Sequence, residues 1–353
     1  MPHRVQTDLP VCLSAPSAWI GKDMQNKPES WLYCLAPAEV EDLENAARHF
    51  LALGRNVGQI SKESFPLSVF NKHIIDLKHC LLTGTGVEVL RGLPISSYTQ
   101  EFAAVVFCGI GVHLGRARSQ NAQGHILGHV RDIGANVNDP SSRIYQTSER
   151  QSFHTDSADV VALLCLKNAK QGGKSLLVSA ESIYNRMKTE CPELLFKLFE
   201  PISTDRRGEI PEGAKPFMNI PVLCWEHGFL TVFYQRQYIE SAQRFKDAIP
   251  LTPELVEALD KFDALANDPD LCFGMQLEPG DMQFVYNHSQ LHDRTSFQDW
   301  PDPEQRRHLM RLWLSMEGDR PLPECFKERY GSIKIGDRGG IVIKGTQLHA
   351  PLE

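Results

Sequence analysis

Gln305-Arg-Arg-His-Leu-Met-Arg-Leu-Trp-Leu-Ser315 reads as a buried strand, yet its apolar run from Leu309 to Leu314 is interrupted by Arg311. Side chains alternate across a strand, so Arg307, Leu309, Arg311 and Trp313 share one face. A guanidinium turned into a core is costly unless an anion meets it. Two on one face ask for two anions, or for one anion and a protein carboxylate such as Asp299 or Asp156. This strand therefore predicts a β core with a charged interior.

Outward from it, short β-rich segments recur over 160–166, 175–178, 221–225, 230–234, 273–277 and 282–286, with Gly172-Gly173, Pro221, Gly228 and Pro279-Gly-Asp281 as punctuation. Helical inserts are expected over 181–200 and 253–266. The first third reads as helical over 37–51, 67–82 and 102–112, the last preceded by capping-box spacing in Ser97-Tyr-Thr-Gln100, with a strand over 87–94. The pattern predicts an α+β chain with a mainly β core: a barrel or jelly roll with flanking helices. One domain is expected, with a helical N-terminal extension over 1–84, the core over 85–320 and a C-terminal tail or lid over 321–353.

The chain has 353 residues, 42% of them hydrophobic, and a formal net charge of -7. That length allows a substantial core. The acidic balance argues against nucleic acid or an anionic membrane as partner, since both favour a basic face. An anionic substrate then needs a local cation. No signal-peptide pattern opens the chain and no apolar run reaches spanning length, so no membrane segment is expected. The nine cysteines are scattered without a CxxC pair, which favours a reducing cytoplasm over a disulfide framework or zinc ribbon.

Two further segments carry chemistry. In Gln151-Ser-Phe-His-Thr-Asp-Ser157, extended backbone would turn His154 and Asp156 to one side and Thr155 to the other. One imidazole, one carboxylate and a second histidine make the facial set of non-heme iron(II) oxygenases, which leaves coordination positions open. Tyr286-Asn-His-Ser-Gln-Leu-His-Asp-Arg294 offers His288 or His292 as that second histidine.

Phe153-His-Thr-Asp-Ser-Ala-Asp159, Gly172-Gly-Lys-Ser175, Leu291-His-Asp-Arg-Thr295 and Gln305-Arg-Arg-His-Leu-Met-Arg311, in this order, resemble the TauD/TfdA (taurine dioxygenase-like, clavaminate synthase-like) family. The resemblance covers roughly 85–320 and implies a double-stranded β-helix using Fe(II), 2-oxoglutarate and O2. By motif it implies His154, Asp156 and His292 as iron ligands and Arg307 as partner of the distal 2-oxoglutarate carboxylate. Ser175 stands where the family often has Thr, as a further 2-oxoglutarate contact. Arg311 matches the arginine that holds an acidic substrate group in several members, which implies a carboxylate- or sulfonate-bearing substrate. Arginine suits the first of these tasks because its fork pairs a carboxylate bidentately.

Tyr145 and Gln151 flank the first ligand and are expected at the substrate, as is Asn121 from the loop 119–130, which also contains His125 and His129. Asn287 and Arg294 are expected to orient His292. The partner is a small anionic molecule; a homodimer is compatible with all of this. The competing enzyme class is a cupin-like metal-dependent hydrolase or isomerase on the same three ligands, which has no use for Arg307 inside a strand.

Overall fold

The structure is a computed structural model that describes residues 9–136, 143–341 and 345–353. The first eight residues of the expected N-terminal extension and residues 342–344 of the expected tail lie outside the described residues.

Two sheets face each other. The larger runs Leu32–Cys34, Val87–Arg91, Met282–Tyr286, Val160–Lys167, His308–Met316, Gly115–Ala117, with Leu127–Val130 also paired to His308–Met316. The smaller runs Cys272–Met275, Ser175–Ser179, Gln290–Arg294, Gln151–His154. Apart from the parallel pairing of Leu32–Cys34 with Val87–Arg91, the pairings within these two sheets are antiparallel. The sheets do not close into a barrel; this is the expected mainly β core with flanking helices.

Alternation assigns the two faces. On His308–Met316, Met310, Leu312, Leu314 and Met316 join the core under the helices, while Leu309, Arg311 and Trp313 face the other way. On Val160–Lys167, Val160, Ala162 and Leu164 go to the helices and Val161, Leu163 and Cys165 turn between the sheets. Both faces are buried, which is why these strands read as continuous apolar runs. A one-residue slip would exchange the faces and put the arginines among the helices.

Helices Pro37–Ala52, Asn71–Thr83 and Gln100–Leu114 cover the outer face of the larger sheet. Ala180–Glu190 and Pro253–Ala266 cover the smaller one. Of the boundaries that differ from the sequence reading, three have a clear local reason. The helix expected from 67 starts at Asn71, because the backbone N–H groups of Ser68, Val69 and Phe70 turn to the Asp42 carboxylate. The cap of Gln100–Leu114 is Thr99, whose hydroxyl accepts from Phe102 N at 3.1 Å; Ser97 ends a 3-10 turn instead. The insert expected over 181–200 breaks at Cys191-Pro192 into Ala180–Glu190 and Pro192–Lys197.

Candidate active site

The smaller sheet positions residues that could hold a metal. His154 ends Gln151–His154 and pairs in register with His292 on Gln290–Arg294, so their rings lie 4.2 Å apart between centroids. Asp156 follows two residues later, held by Asn287, whose Oδ1 accepts from Asp156 N at 2.8 Å and whose Nδ2 donates to Asp156 O at 2.6 Å. Ligand atoms of His154, Asp156 and His292 all lie within 4.8 Å of one another. The donor chemistry fits a divalent metal. His154 Nδ1 lies 2.8 Å from Ser152 O, which makes Nδ1 the protonated nitrogen and leaves Nε2 with a lone pair. His292 Nε2 is buried and has no hydrogen-bond partner. Burial pushes the His154 imidazole below its ordinary value and the His292 imidazole down to about 3, so both are neutral at pH 7. Burial works to raise Asp156, but Arg311, His292 and His154 together bring it down to about 2. Two neutral imidazoles and one carboxylate are the protonation states a divalent iron requires.

The larger sheet supplies the arginines. Arg311 lies between the rings of Tyr145 and Trp313, 4.8 and 4.9 Å from their centroids. Its Nε donates to Gln120 Oε1 at 2.7 Å and its Nη1 to Asp156 Oδ2 at 3.2 Å. Trp313 Nε1 donates to the same Oδ2 at 2.9 Å. Asp156 thus has one oxygen held by two donors, while Oδ1 faces His154 Nε2 at 4.0 Å. Of the two acids weighed for these arginines, one therefore meets Arg311. Asp156 is that carboxylate, because its second oxygen is free of the triad.

Arg307 is different. It is 5% exposed, stacks on Phe297 at 5.1 Å, and its Nη1 is buried with no hydrogen-bond partner among the described residues. Asp299, the structural acid weighed for it, accepts from the Arg307 backbone N instead. Burial lowers the Arg307 guanidinium to about 10. Gly173 makes room for it: a β carbon there would stand 3.0 Å from Arg307 Nε, on a backbone with φ +69°. Ser175 Oγ donates to Gln283 Oε1 at 3.0 Å beside this space. His154, Asp156, His292, Ser175, Arg307, Arg311, Tyr145 and Gln151 all line one cavity between the sheets. The orphaned guanidinium and the orphaned imidazole nitrogen face that cavity, and they are the atoms a 2-oxo diacid and a metal would each satisfy.

Other expected residues fall elsewhere. Asn121 does not line the cavity; its carboxamide caps its own loop, accepting from Gln123 N and His125 N. The adjacent Gln120 is the residue of that loop that reaches Arg311. Gln151 is in place, with its Nε2 2.9 Å from His154 Nε2, so it must move aside when a metal takes that lone pair. Asn287 orients Asp156 rather than His292. Arg294 donates to the Thr147 and Glu149 carbonyls and stacks on Phe297, in the same cavity but not on the His292 ring. His288, the alternative third ligand, bonds Asp159 at 2.8 Å. With Asp319 that pair forms a second cluster of metal-type residues, already bridged by the Arg338 guanidinium at 2.7 Å to each carboxylate. Gln283 was missed, though a lone amide in the apolar strand Met282–Tyr286 is the same kind of signal as Arg311.

The sequence matches the family described as taurine catabolism dioxygenase TauD, TfdA family, over residues 50–313. It is 33% identical to FR-33289 synthase of Streptomyces rubellomurinus, over 90% of this chain and 94% of that one. It is 31% identical to the taurine hydroxylase-like protein SAT17 of Stachybotrys chartarum, over 85% of this chain and 79% of that one. The fold is similar to that of asparagine oxygenase solved with Fe(II), 2S,3S-3-hydroxyasparagine and succinate. The TM-score is 0.64 at 17% identity, covering 80% of this chain and 93% of that one. The chain belongs to the TauD/TfdA family of Fe(II)- and 2-oxoglutarate-dependent dioxygenases.

Proposed function

We propose that this enzyme oxidises a C–H bond of a small organic acid, with release of succinate and CO2, and that His154, Asp156 and His292 hold the iron while Arg307 pairs the distal carboxylate of 2-oxoglutarate. The observation that carries this assignment is the buried Arg307 Nη1 without a partner, in the same cavity as the unpartnered His292 Nε2. A cupin-like hydrolase or isomerase would have no use for that cation. Iron with 2-oxoglutarate and O2 supplies the oxidising power; the chain's own groups bind, orient and exclude water. Trp313 and Arg311 fix one Asp156 oxygen and so aim the other at the metal. Ser175 and Gln283 line the Arg307 end and offer hydroxyl and amide contacts to the cosubstrate. Val161, Leu163, Val285 and Leu309 supply apolar parts of the cavity wall.

An acidic substrate is supported by the cations of the site and by the relatives. One is named for taurine, a sulfonate, and a structural neighbour holds a hydroxylated asparagine. Hydroxylation, desaturation and ring closure are all open to this site.

Adding Fe(II) and 2-oxoglutarate without O2 is expected to produce weak visible absorption in the wild type and none in Asp156→Ala. Wild-type iron stoichiometry in that variant contradicts the ligand set. Succinate release screened over amino acids, sulfonates and other small acids then identifies the substrate class.

A further inference from the structure

Beside the triad, a second chamber continues past Arg311. His154, Asp156 and Arg311 line it together with Ser157, Thr204, Tyr238, Arg143 and Arg329. Arg329 comes from the short helix Lys327–Tyr330, beyond the end of the family match at residue 313.

The charges at this end do not balance. Arg143 pairs with Glu209, donates to the Tyr238 hydroxyl at 3.0 Å and lies 5.8 Å from that ring's centroid. The Arg329 side chain has one hydrogen bond, from Nε to the neutral Ser157 hydroxyl, and no ion pair among the described residues. Glu209 acts on both guanidiniums, and it is paired with Arg143. Burial pushes Arg329 below its ordinary value; Glu209 opposes that and Arg143 adds to it. One formal positive charge is therefore left over. Arg311, in contrast, already has Asp156, Gln120 and two aromatic faces.

The helix carrying Arg329 is not loosely attached. Phe326 packs on Phe233 and Tyr330 on Phe326, at 5.9 and 5.6 Å between centroids. Downstream, fully buried Arg338 ties the same segment to Asp159 and Asp319. An anion meeting Arg329 would find it already in position, which limits the entropy lost on binding.

We propose that Arg329 and Arg143 recognise the acidic group of the substrate: a carboxylate, sulfonate or phosphate held by two guanidiniums, with the rest of the molecule extending along the chamber to the triad. This rests on the oxygenase reading of the triad and Arg307, and it moves the substrate's anion away from Arg311. Forked guanidiniums suit an oxyanion of any of these three kinds. Of the two guanidiniums, Arg143 lies within the matched family region and Arg329 beyond its end.

The test uses the full chain loaded with Fe(II) and 2-oxoglutarate under argon, so that Arg307 is occupied, and titrates inorganic phosphate and sulfate by calorimetry. The wild type should bind one equivalent of anion. Arg329→Gln and Arg143→Gln should each weaken it by about tenfold or more, as expected for loss of one charge-assisted contact. Arg329→Lys should recover part of the loss, and Arg306→Gln, an exposed cation outside the chamber, should change nothing. With the substrate found by screening, Arg329→Gln should raise KM by a similar factor and leave kcat within about threefold. If Arg329→Gln does not fold, Arg329→Lys and Arg143→Gln decide the matter. The proposal is overturned if the loaded wild type binds neither anion, or if both glutamine variants bind them as the wild type does. Failure of the wild type to take up Fe(II) and 2-oxoglutarate would instead overturn the oxygenase-site reading, and the loading step shows this before any anion is added.

Discussion

Arg307 stands just before the strand His308–Met316 and Arg311 within it; both line the same cavity, yet their surroundings ask for different things. Arg307 has a stacking partner, and its Nη1 has no hydrogen-bond partner among the described residues, as a site for a ligand's carboxylate would require. Arg307→Ala should weaken 2-oxoglutarate binding by roughly 30-fold or more, the loss of a charge-assisted pair worth about 2–5 kcal/mol in a dry site. Anaerobic titration measures it, and a change under about threefold contradicts the assignment. Arg311 is held by Asp156, Gln120 and two rings. Its replacement by Leu should therefore loosen the metal through Asp156, lowering Fe(II) affinity by about 10- to 100-fold, the usual effect of removing a group that orients a ligand. Unchanged iron affinity in Arg311→Leu, with substrate-driven turnover lost, would return Arg311 to the substrate.

Among the elements, the turn between Gln151–His154 and Val160–Lys167 depends on a residue from another strand end. Asn287 bonds Asp156 N, Asp156 O and Ala158 O, at 2.8, 2.6 and 3.0 Å. Three backbone groups in a partly buried turn share one carboxamide, and Ala158 O has the Tyr330 hydroxyl as a further, longer donor at 3.5 Å. Asn287→Ala should cost about 1–3 kcal/mol, because buried polar groups are left unmet rather than exchanged for water. Thermal denaturation of the metal-free protein should show a lower Tm, and the iron occupancy of the purified variant should fall with it. An unchanged Tm would mean that the turn holds itself.

At the scale of the whole molecule, Arg338 joins the C-terminal stretch to the core. Its guanidinium bridges Asp159 and Asp319, while His288, Ser315 and Met316 N also bond Asp159, and the Tyr286 hydroxyl bonds Asp319 at 2.5 Å. The stretch expected as a tail or lid thus contains a fully buried residue at its centre. Arg338→Met would leave two buried carboxylates without their cation, and a cost of about 3–5 kcal/mol follows from breaking such a network on one side. Urea unfolding should register it as a lower midpoint with the slope kept. A midpoint unchanged within error would show that the carboxylates find other partners.

The sequence by itself determined the β core and the family, and it singled out His154, Asp156, His292 and Arg307 as candidates, because each announces itself locally. Alternation over 309–315 and 160–166 fixes which side chains face the cavity, and His154 and Asp156 sit two residues apart on extended backbone. A cation or amide inside an apolar strand is visible without a structure, as Arg311 was and Gln283 could have been. Partners are another matter. That Arg311 meets Asp156, that Asn287 clamps Asp156 rather than His292, that Gln120 and not Asn121 reaches Arg311, and that Arg329 and Arg143 line one chamber all join residues distant in the chain. Nothing in local periodicity encodes such pairings. They follow from how two sheets, a loop and a C-terminal helix pack around one space, and only the tertiary structure could decide them.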